Sequence, residues 1–316
     1  MSPGRSHAEE ACNVSAAPLR SLLFVPGDSE RKQAKALAAG ADALILDLED
    51  SVAEAQLPAA RARVRDFLVA NSAASRQAQL WVRLNSLASG KLIEDLVAVI
   101  GARPDGVVLP KVSSVREVAQ VGHYLLALEA REGLPAGSTR ILVIATETPA
   151  ALLALGEYTP ASAGERLAGL TWGMEDLSAA LGALGKTEAD GSLTPVMELA
   201  RSLCLVTASA AGVQAIDGVH ADFRDRPGLE REVARARRDG FTAKLAIHPD
   251  QVPVINAAFS PTAAEIERAR RIVAAFAAAP GAGVTSLDGQ MLDRPHLVLA
   301  RRVLELSARG ATAATR

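Results

Sequence analysis

"GADALILDLEDSV" (residues 40–52) sets an apolar run directly against three carboxylates, Asp47, Glu49 and Asp50. A short run of Ala, Leu and Ile with glycine before it and acids after it reads as a strand buried on both faces. Side chains alternate along a strand, so Asp47 and Glu49 share one side while Leu46 and Leu48 take the other. Asp50 lies just beyond, in the loop. Carboxylates this close repel one another, and a buried one needs a cation or a hydrogen bond beside it.

The same pattern recurs. "SLLFVPG" (21–27), "ALILDLE" (43–49), "QLWVRLN" (79–85) and "GVVLPKV" (106–112) are apolar runs that each lead into a helical pattern. "RILVIATET" (140–148), "LAGLTWG" (167–173), "GVQAIDG" (212–218) and "TAKLAIHP" (242–249) continue the series. The first helix, "SERKQAKALAAG", carries Ser29 at its cap position. Strands alternating with helices indicate a parallel sheet covered on both faces. Eight such units predict an α/β chain folded as a (β/α)8 TIM barrel. The competing doubly wound open sheet lacks its usual mark, because "PGDSER" is not a G-x-G-x-x-G turn and no P-loop lysine occurs.

The expected organisation is a flexible tail over 1–18, the barrel over 19–258, and a C-terminal helix and lid segment over 259–316. In the last segment "SPTAAEIERARRIVAAFAAA" is an amphipathic helix, and "PGAGVTSLDGQMLDRPHLVLARRVLEL" a glycine-rich loop followed by a second helix. With Asp288 and Asp293 before that helix, it reads as a lid or an arm onto a neighbour.

Bulk composition narrows the function classes. Apolar residues make up 49% of the 316 and charged residues 22%, enough for a large core. A net charge of −2 gives no electrostatic reason to expect nucleic acid or an anionic membrane. No run approaches membrane-spanning length, and the leader has no apolar core like that of a signal peptide. The two cysteines, Cys12 and Cys204, make a disulfide framework an unnatural reading and fit a reducing cytoplasm.

Polar residues gather where the runs end: Asp47, Glu49 and Asp50, then Arg83 and Asn85, Lys111, Glu147, Glu175 and Asp176, Asp217, His248. In a barrel those ends meet at one mouth, where barrel enzymes do their chemistry. Glu147 and Asp176, on adjacent strand ends, are either hard oxygen ligands for Mg²⁺ or a structural ion-pair acid and a helix cap. Arg83 is either a substrate clamp or a buried partner for Glu49. Lys111 and His248 are candidates for catalysis or for wall positions. Arg20 and Lys35 are candidates for phosphate contacts. Cys204 reads as a buried apolar residue.

In order, "RSLLFVPG", "KALAAGADALILDLEDSV", "WVRLNS", "VVLPKV", "ETPAAL", "GMEDLSAALG" and "FTAKLAIHPDQVPVIN" resemble the CitE-like (citrate lyase β-subunit-like) branch of the HpcH/HpaI aldolase family. The resemblance covers residues 19–306 and implies a TIM barrel assembled as a homotrimer or hexamer. It also implies Mg²⁺, with Mn²⁺ as a substitute, and a coenzyme A thioester substrate. By position, Glu147 and Asp176 match the family's metal-binding pair, and Arg83 its substrate-positioning arginine. Arg20 and Lys35 match positions associated with the coenzyme A phosphates. "LDGQMLDRPHLVLA" is similar to the lid of malyl-CoA lyases, where an aspartate matching Asp293 reaches into the neighbouring subunit as acid–base.

Glu49 and Asp50 are then expected to accept hydrogen bonds from metal-bound waters and to orient Arg83, with Asp47 purely structural. Glu175 and Met197 depart from the family's usual pattern and are positions that can reshape the pocket. The reaction implied is reversible retro-Claisen cleavage of (S)-citramalyl-CoA or malyl-CoA to acetyl-CoA and a 2-oxo acid. The alternatives are a citrate lyase β subunit acting on an acyl-carrier protein, a malyl-CoA thioesterase or malate synthase-type activity, and a non-catalytic acyl-CoA binder.

Overall fold

Each of the eight apolar runs forms a strand, and each strand stops before its run does. They are β1 (Ser21–Pro26), β2 (Ala43–Asp47), β3 (Gln79–Arg83), β4 (Gly106–Leu109), β5 (Arg140–Ile144), β6 (Leu167–Thr171), β7 (Gln214–Asp217) and β8 (Ala243–Ala246). The ladder ends where the backbone turns outward into a loop, so Glu49, Lys111 and Glu147 sit beyond it. This is a computed structural model, which describes residues 19–279, 281 and 283–313; the expected tail over 1–18 lies outside them.

All eight strands pair in parallel in sequence order, and β8 closes on β1 through Ser21↔Lys244, Leu22↔Leu245 and Leu23↔Ala246. The sheet is therefore a closed (β/α)8 barrel. Alternation on β2 assigns the faces. Ala43 and Ile45 join Leu22, Trp81, Ile144 and Leu245 inside the barrel, while Leu44 and Leu46 pack outward against the covering helices. Trp81 fills the interior opposite Gly106, where a Cβ would lie 2.2 Å from its ring.

Two polar strand ends do not reach the mouth. Asp217 is in phase with the outward Ala215 and is buried among Lys244 (2.9 Å), Arg201 (3.2 Å) and the Trp172 indole N–H (2.8 Å). Asn85 donates to the Leu48 carbonyl and to Asp95 of the helix Leu92–Val99, bracing a loop. For Asp217 one residue of phase decides between cleft and helical layer, whereas Asn85 lies past the end of β3, where the ladder no longer sets alternation.

The chain divides into two compact units, Leu19–Phe259 and the segment from Ser260 onward. The second contains the helix Ala263–Ala277, strands β9 (Val284–Leu287) and β10 (Gln290–Asp293), and the helix Arg294–Ala313. Thr262 and Glu265 form a reciprocal capping box at the start of the first helix. The expected glycine-rich loop contains an antiparallel hairpin instead. Asp288 (φ 52°) and Gly289 (φ 75°) are both left-handed, the conformation that a two-residue Asp-Gly hairpin turn requires. Ala269, Ile272, Phe276, Leu292 and Ala300 are its buried core. Among the described residues no helix is long and apolar enough to cross a membrane.

Candidate active site

The β2–β3 register places Asp47 beside Arg83, with both side chains inside the barrel rim. Arg83 donates from Nε to Asp47 Oδ1 (2.6 Å) and from Nη2 to Oδ2 (2.7 Å), a two-pronged pair that fixes the guanidinium plane. Its Nη1 lies 3.1 Å from both Glu49 Oε2 and Asp50 Oδ2, and the Phe24 ring stacks against it at 4.9 Å. Burial works against the Asp47 carboxylate, but the Arg83 bonds outweigh it and hold it below its usual range. Asp47, expected to be purely structural, thus orients Arg83 together with Asp50, which accepts from Nη1 at 3.1 Å as expected. Its signal was its two-residue spacing from Glu49, which puts both on the barrel's inner side.

Lys111 follows β4 in a left-handed conformation (φ 52°). Its backbone N–H donates to Glu147 Oε2 at 2.5 Å, and its Nζ donates to Glu49 Oε1 (2.8 Å) and Asp50 Oδ1 (2.9 Å). The same Nζ lies 3.4 Å from Asp176 Oδ1. Glu147 sits in the turn after β5, just before the helix Pro149–Ala154, whose cap Thr148 accepts from the Ala151 N–H. Asp176 is in the first turn of the helix Met174–Leu181, whose cap is Gly173, so the expected capping alternative for Asp176 does not hold. Glu147 and Asp176 line one lobe of a cleft with Arg83, Trp172 and Leu245. A second lobe runs along Val25, Pro26, Ser51 and Ile247 and shares Phe24, Asp50, Arg83 and Val219 with the first.

The electrostatics point to a cation. Burial pushes the Glu147 carboxyl up to about 8; the Lys111 N–H opposes this, and the Asp176 and Glu49 charges push it further. Burial likewise raises Glu49 to about 7, against Arg83 and Lys111. The buried Glu49 Oε2 has no hydrogen-bond donor, since Arg83 Nη1 is close but poorly aligned. Among the described residues no three His, Cys, Asp or Glu side chains form a ready cage. A metal here would take Glu147 and Asp176 and keep waters on its other positions, the habit of Mg²⁺. Glu49 and Asp50, which share Lys111 Nζ with Asp176, would be the groups to accept from such waters.

The other expected site residues are elsewhere. Arg20 precedes β1, at the barrel end opposite the mouth, and is bound through Nε (2.9 Å) and Nη2 (2.8 Å) to Asp42, which precedes β2 at that same end. Lys35 is exposed in the last turn of the helix Glu30–Leu37, leading away from the mouth. Neither is brought to the cleft. Asp293 ends β10 in the C-terminal unit, where its Oδ1 is 2.5 Å from His296 Nδ1. His248 accepts from the Asp250 N–H and stacks on Phe223, as a wall residue does. Cys204 and Met197 are buried in the layer outside the strands, and Glu175 lines the cleft while paired with Lys186.

Residues 20–249 match the family model described as HpcH/HpaI aldolase/citrate lyase, and the chain belongs to that family. It is 36% identical over 282 residues to a citrate lyase subunit beta-like protein of Mycobacterium tuberculosis (strain CDC 1551 / Oshkosh), covering 89% of this chain and 93% of that one. A (3S)-malyl-CoA thioesterase of Cereibacter sphaeroides (strain ATCC 17029 / ATH 2.4.9) is 35% identical, with 91% and 94% covered. Among solved structures, CitE of M. tuberculosis in complex with magnesium, acetoacetate and coenzyme A superposes with a TM-score of 0.74 at 36% identity. That match covers 93% of this chain and 99% of the other.

Proposed function

We propose that this member of the HpcH/HpaI aldolase/citrate lyase family is a Mg²⁺-dependent carbon–carbon lyase. It reversibly cleaves a 3-hydroxyacyl-CoA such as (S)-citramalyl-CoA or malyl-CoA to acetyl-CoA and pyruvate or glyoxylate. The observation that carries the reading is the cleft itself, where Arg83, fixed by Asp47, faces the same lobe as Glu147 and Asp176. The magnesium and coenzyme A bound by the similar M. tuberculosis protein support the choice of both.

Mg²⁺ on Glu147 and Asp176 would supply Lewis acidity and a template for the hydroxyl and carboxylate that become the 2-oxo acid. Arg83 offers its guanidinium to the thioester oxygen, where negative charge grows as the carbon–carbon bond breaks. Its clamp on Asp47 holds that donor in place before substrate arrives, so little reorganisation accompanies the reaction. Asp293, supplied by a neighbouring subunit of a trimer or hexamer, takes the hydroxyl proton. The electron pair of the broken bond becomes the thioester enolate, and protonation of its carbon gives acetyl-CoA. The apolar lobe along Val25, Pro26 and Ile247 suits the acyl arm, because it offers surface without competing charge.

The 35% identical (3S)-malyl-CoA thioesterase favours a second reading, hydrolysis to free CoA and the hydroxy acid. One assay separates them: malyl-, citramalyl- and β-methylmalyl-CoA are incubated with the isolated chain and Mg²⁺, with products identified by mass spectrometry. Acetyl-CoA and a 2-oxo acid are expected. Free CoA with an intact hydroxy acid, seen with a thiol reagent, would establish the thioesterase instead. No turnover of any free CoA ester would overturn both and return the carrier-protein and binding-only alternatives.

A further inference from the structure

Against the cleft's carboxylates stands a cation for which the proposed reaction has no use. We propose that Lys111 is a resident counter-ion. It gathers the metal-site carboxylates before Mg²⁺ arrives and releases Asp176 when Mg²⁺ binds, so that its charge sets how tightly the metal is held. This rests on reading Glu147 and Asp176 as the metal ligands.

The geometry is specific. One residue touches both proposed ligands, Glu147 through its backbone N–H and Asp176 through its ammonium. The ammonium is held unequally, at 2.8 and 2.9 Å by Glu49 and Asp50 but at 3.4 Å by Asp176. The weakest contact is therefore the one that Mg²⁺ would replace. Glu49 and Asp50 can keep the ammonium once Asp176 is given up, because theirs are its two shorter contacts. The Lys111 side chain is 29% exposed and Asp50 51% exposed, so the ammonium is not sealed from solvent.

The backbone points the same way. Lys111 is one of three non-glycine residues with positive φ among those described, and glycine would adopt that conformation without strain. A lysine held there is compensated by what its side chain does, which is to neutralise carboxylates that otherwise repel. It is a positioning residue: its ammonium contacts carboxylates, those of Glu49, Asp50 and Asp176. Mg²⁺ needs carboxylate oxygens at roughly 2.0–2.1 Å. A second positive charge beside the same Asp176 oxygen repels the ion, so the lysine lowers metal affinity while it keeps the empty cluster assembled.

The test is isothermal titration of Mg²⁺ into metal-stripped protein, with thermal melts in EDTA and in Mg²⁺. Lys111→Met is expected to bind Mg²⁺ at least tenfold more tightly than wild type, to melt lower in EDTA, and to gain more from added Mg²⁺. Lys111→Arg keeps the charge and is expected to bind Mg²⁺ close to wild type. Lys111→Gln gives the neutral reading if the Met variant does not fold. Unchanged or weaker Mg²⁺ binding by the folded neutral variant overturns the proposal. Glu147→Gln separates the two levels: if it titrates like wild type, the metal assignment itself is wrong. If it abolishes binding while Lys111→Met changes nothing, only the role of the lysine fails.

Discussion

At the scale of single residues, the cleft is a set of carboxylates whose charges are incompletely matched, and pH is the direct probe of that mismatch. Glu147 is raised from 4.5 to about 8 by burial and by the Asp176 and Glu49 charges. The folded state therefore binds a proton that the unfolded chain has already lost, and metal-free stability falls as pH rises from about 4.5 to about 8. Mg²⁺ supplies the missing positive charge, so melts in Mg²⁺ are expected to be flatter over this window than melts in EDTA. His220, raised chiefly by its bond to Glu232, slopes in the same direction, so the isolating measurement is the difference from Glu147→Gln. That variant, neutral throughout, is expected to lose part of the slope; an EDTA slope identical to wild type would refute an uncompensated Glu147. That Glu147, Asp176 and Arg83 share one cleft was legible, because each ends or follows a strand at the barrel mouth. The places of Asp217, Asn85 and Arg20 were not, because each is captured by a partner on another element: Lys244 and Arg201, Asp95, and Asp42.

At the scale of elements, the two carboxylates proposed as metal ligands depend on a tight approach between the β5 turn and the start of the helix Met174–Leu181. A Cβ on Gly173 would lie 2.9 Å from Glu147 Cγ and 3.1 Å from Ile144 Cγ2, and the glycine's own φ of −124° suits any residue. Gly173→Ala is thus a purely steric change that pushes on the Glu147 stem. The expected result is a folded protein, destabilised by about 1–3 kcal/mol as for other overpacked sites, with Mg²⁺ affinity reduced at least tenfold by titration. Unaltered Mg²⁺ binding would mean that Glu147 can shift without penalty, or that it is not a ligand. No periodicity in "TWGMEDL" announces this role, since a glycine before a helix reads first as a cap. The β9–β10 hairpin was hidden differently. Its strands are four residues each and largely exposed, too short for alternation to show, and only the Asp-Gly pair at 288–289 marks the turn.

At the scale of the whole molecule, the barrel was readable because eight buried runs with helices between them leave little freedom in how a parallel sheet can close. How its interior fills was not readable. Trp81 needs the bare backbone of Gly106, and the Gly106→Ala methyl group would meet the ring and the Arg140 carbonyl, so a loss of about 1–3 kcal/mol or more is expected in urea unfolding. A loss within measurement error would show that the barrel interior can give way.

Assembly is the least legible level, because the reach of Asp293 depends on a neighbour that one chain cannot reveal. If Asp293 serves the next subunit's cleft, sites combine Glu147 from one chain with Asp293 from another. Glu147→Gln and Asp293→Asn proteins, each expected to be inactive alone, should then complement when co-expressed. Random mixing of equal amounts in a cyclic oligomer leaves about a quarter of the sites with both wild-type residues, and activity should return to that level. Mixed oligomers without activity would mean that the two residues must come from one chain. An active Asp293→Asn homo-oligomer would remove Asp293 from the chemistry and leave proton transfer to a group inside the barrel mouth.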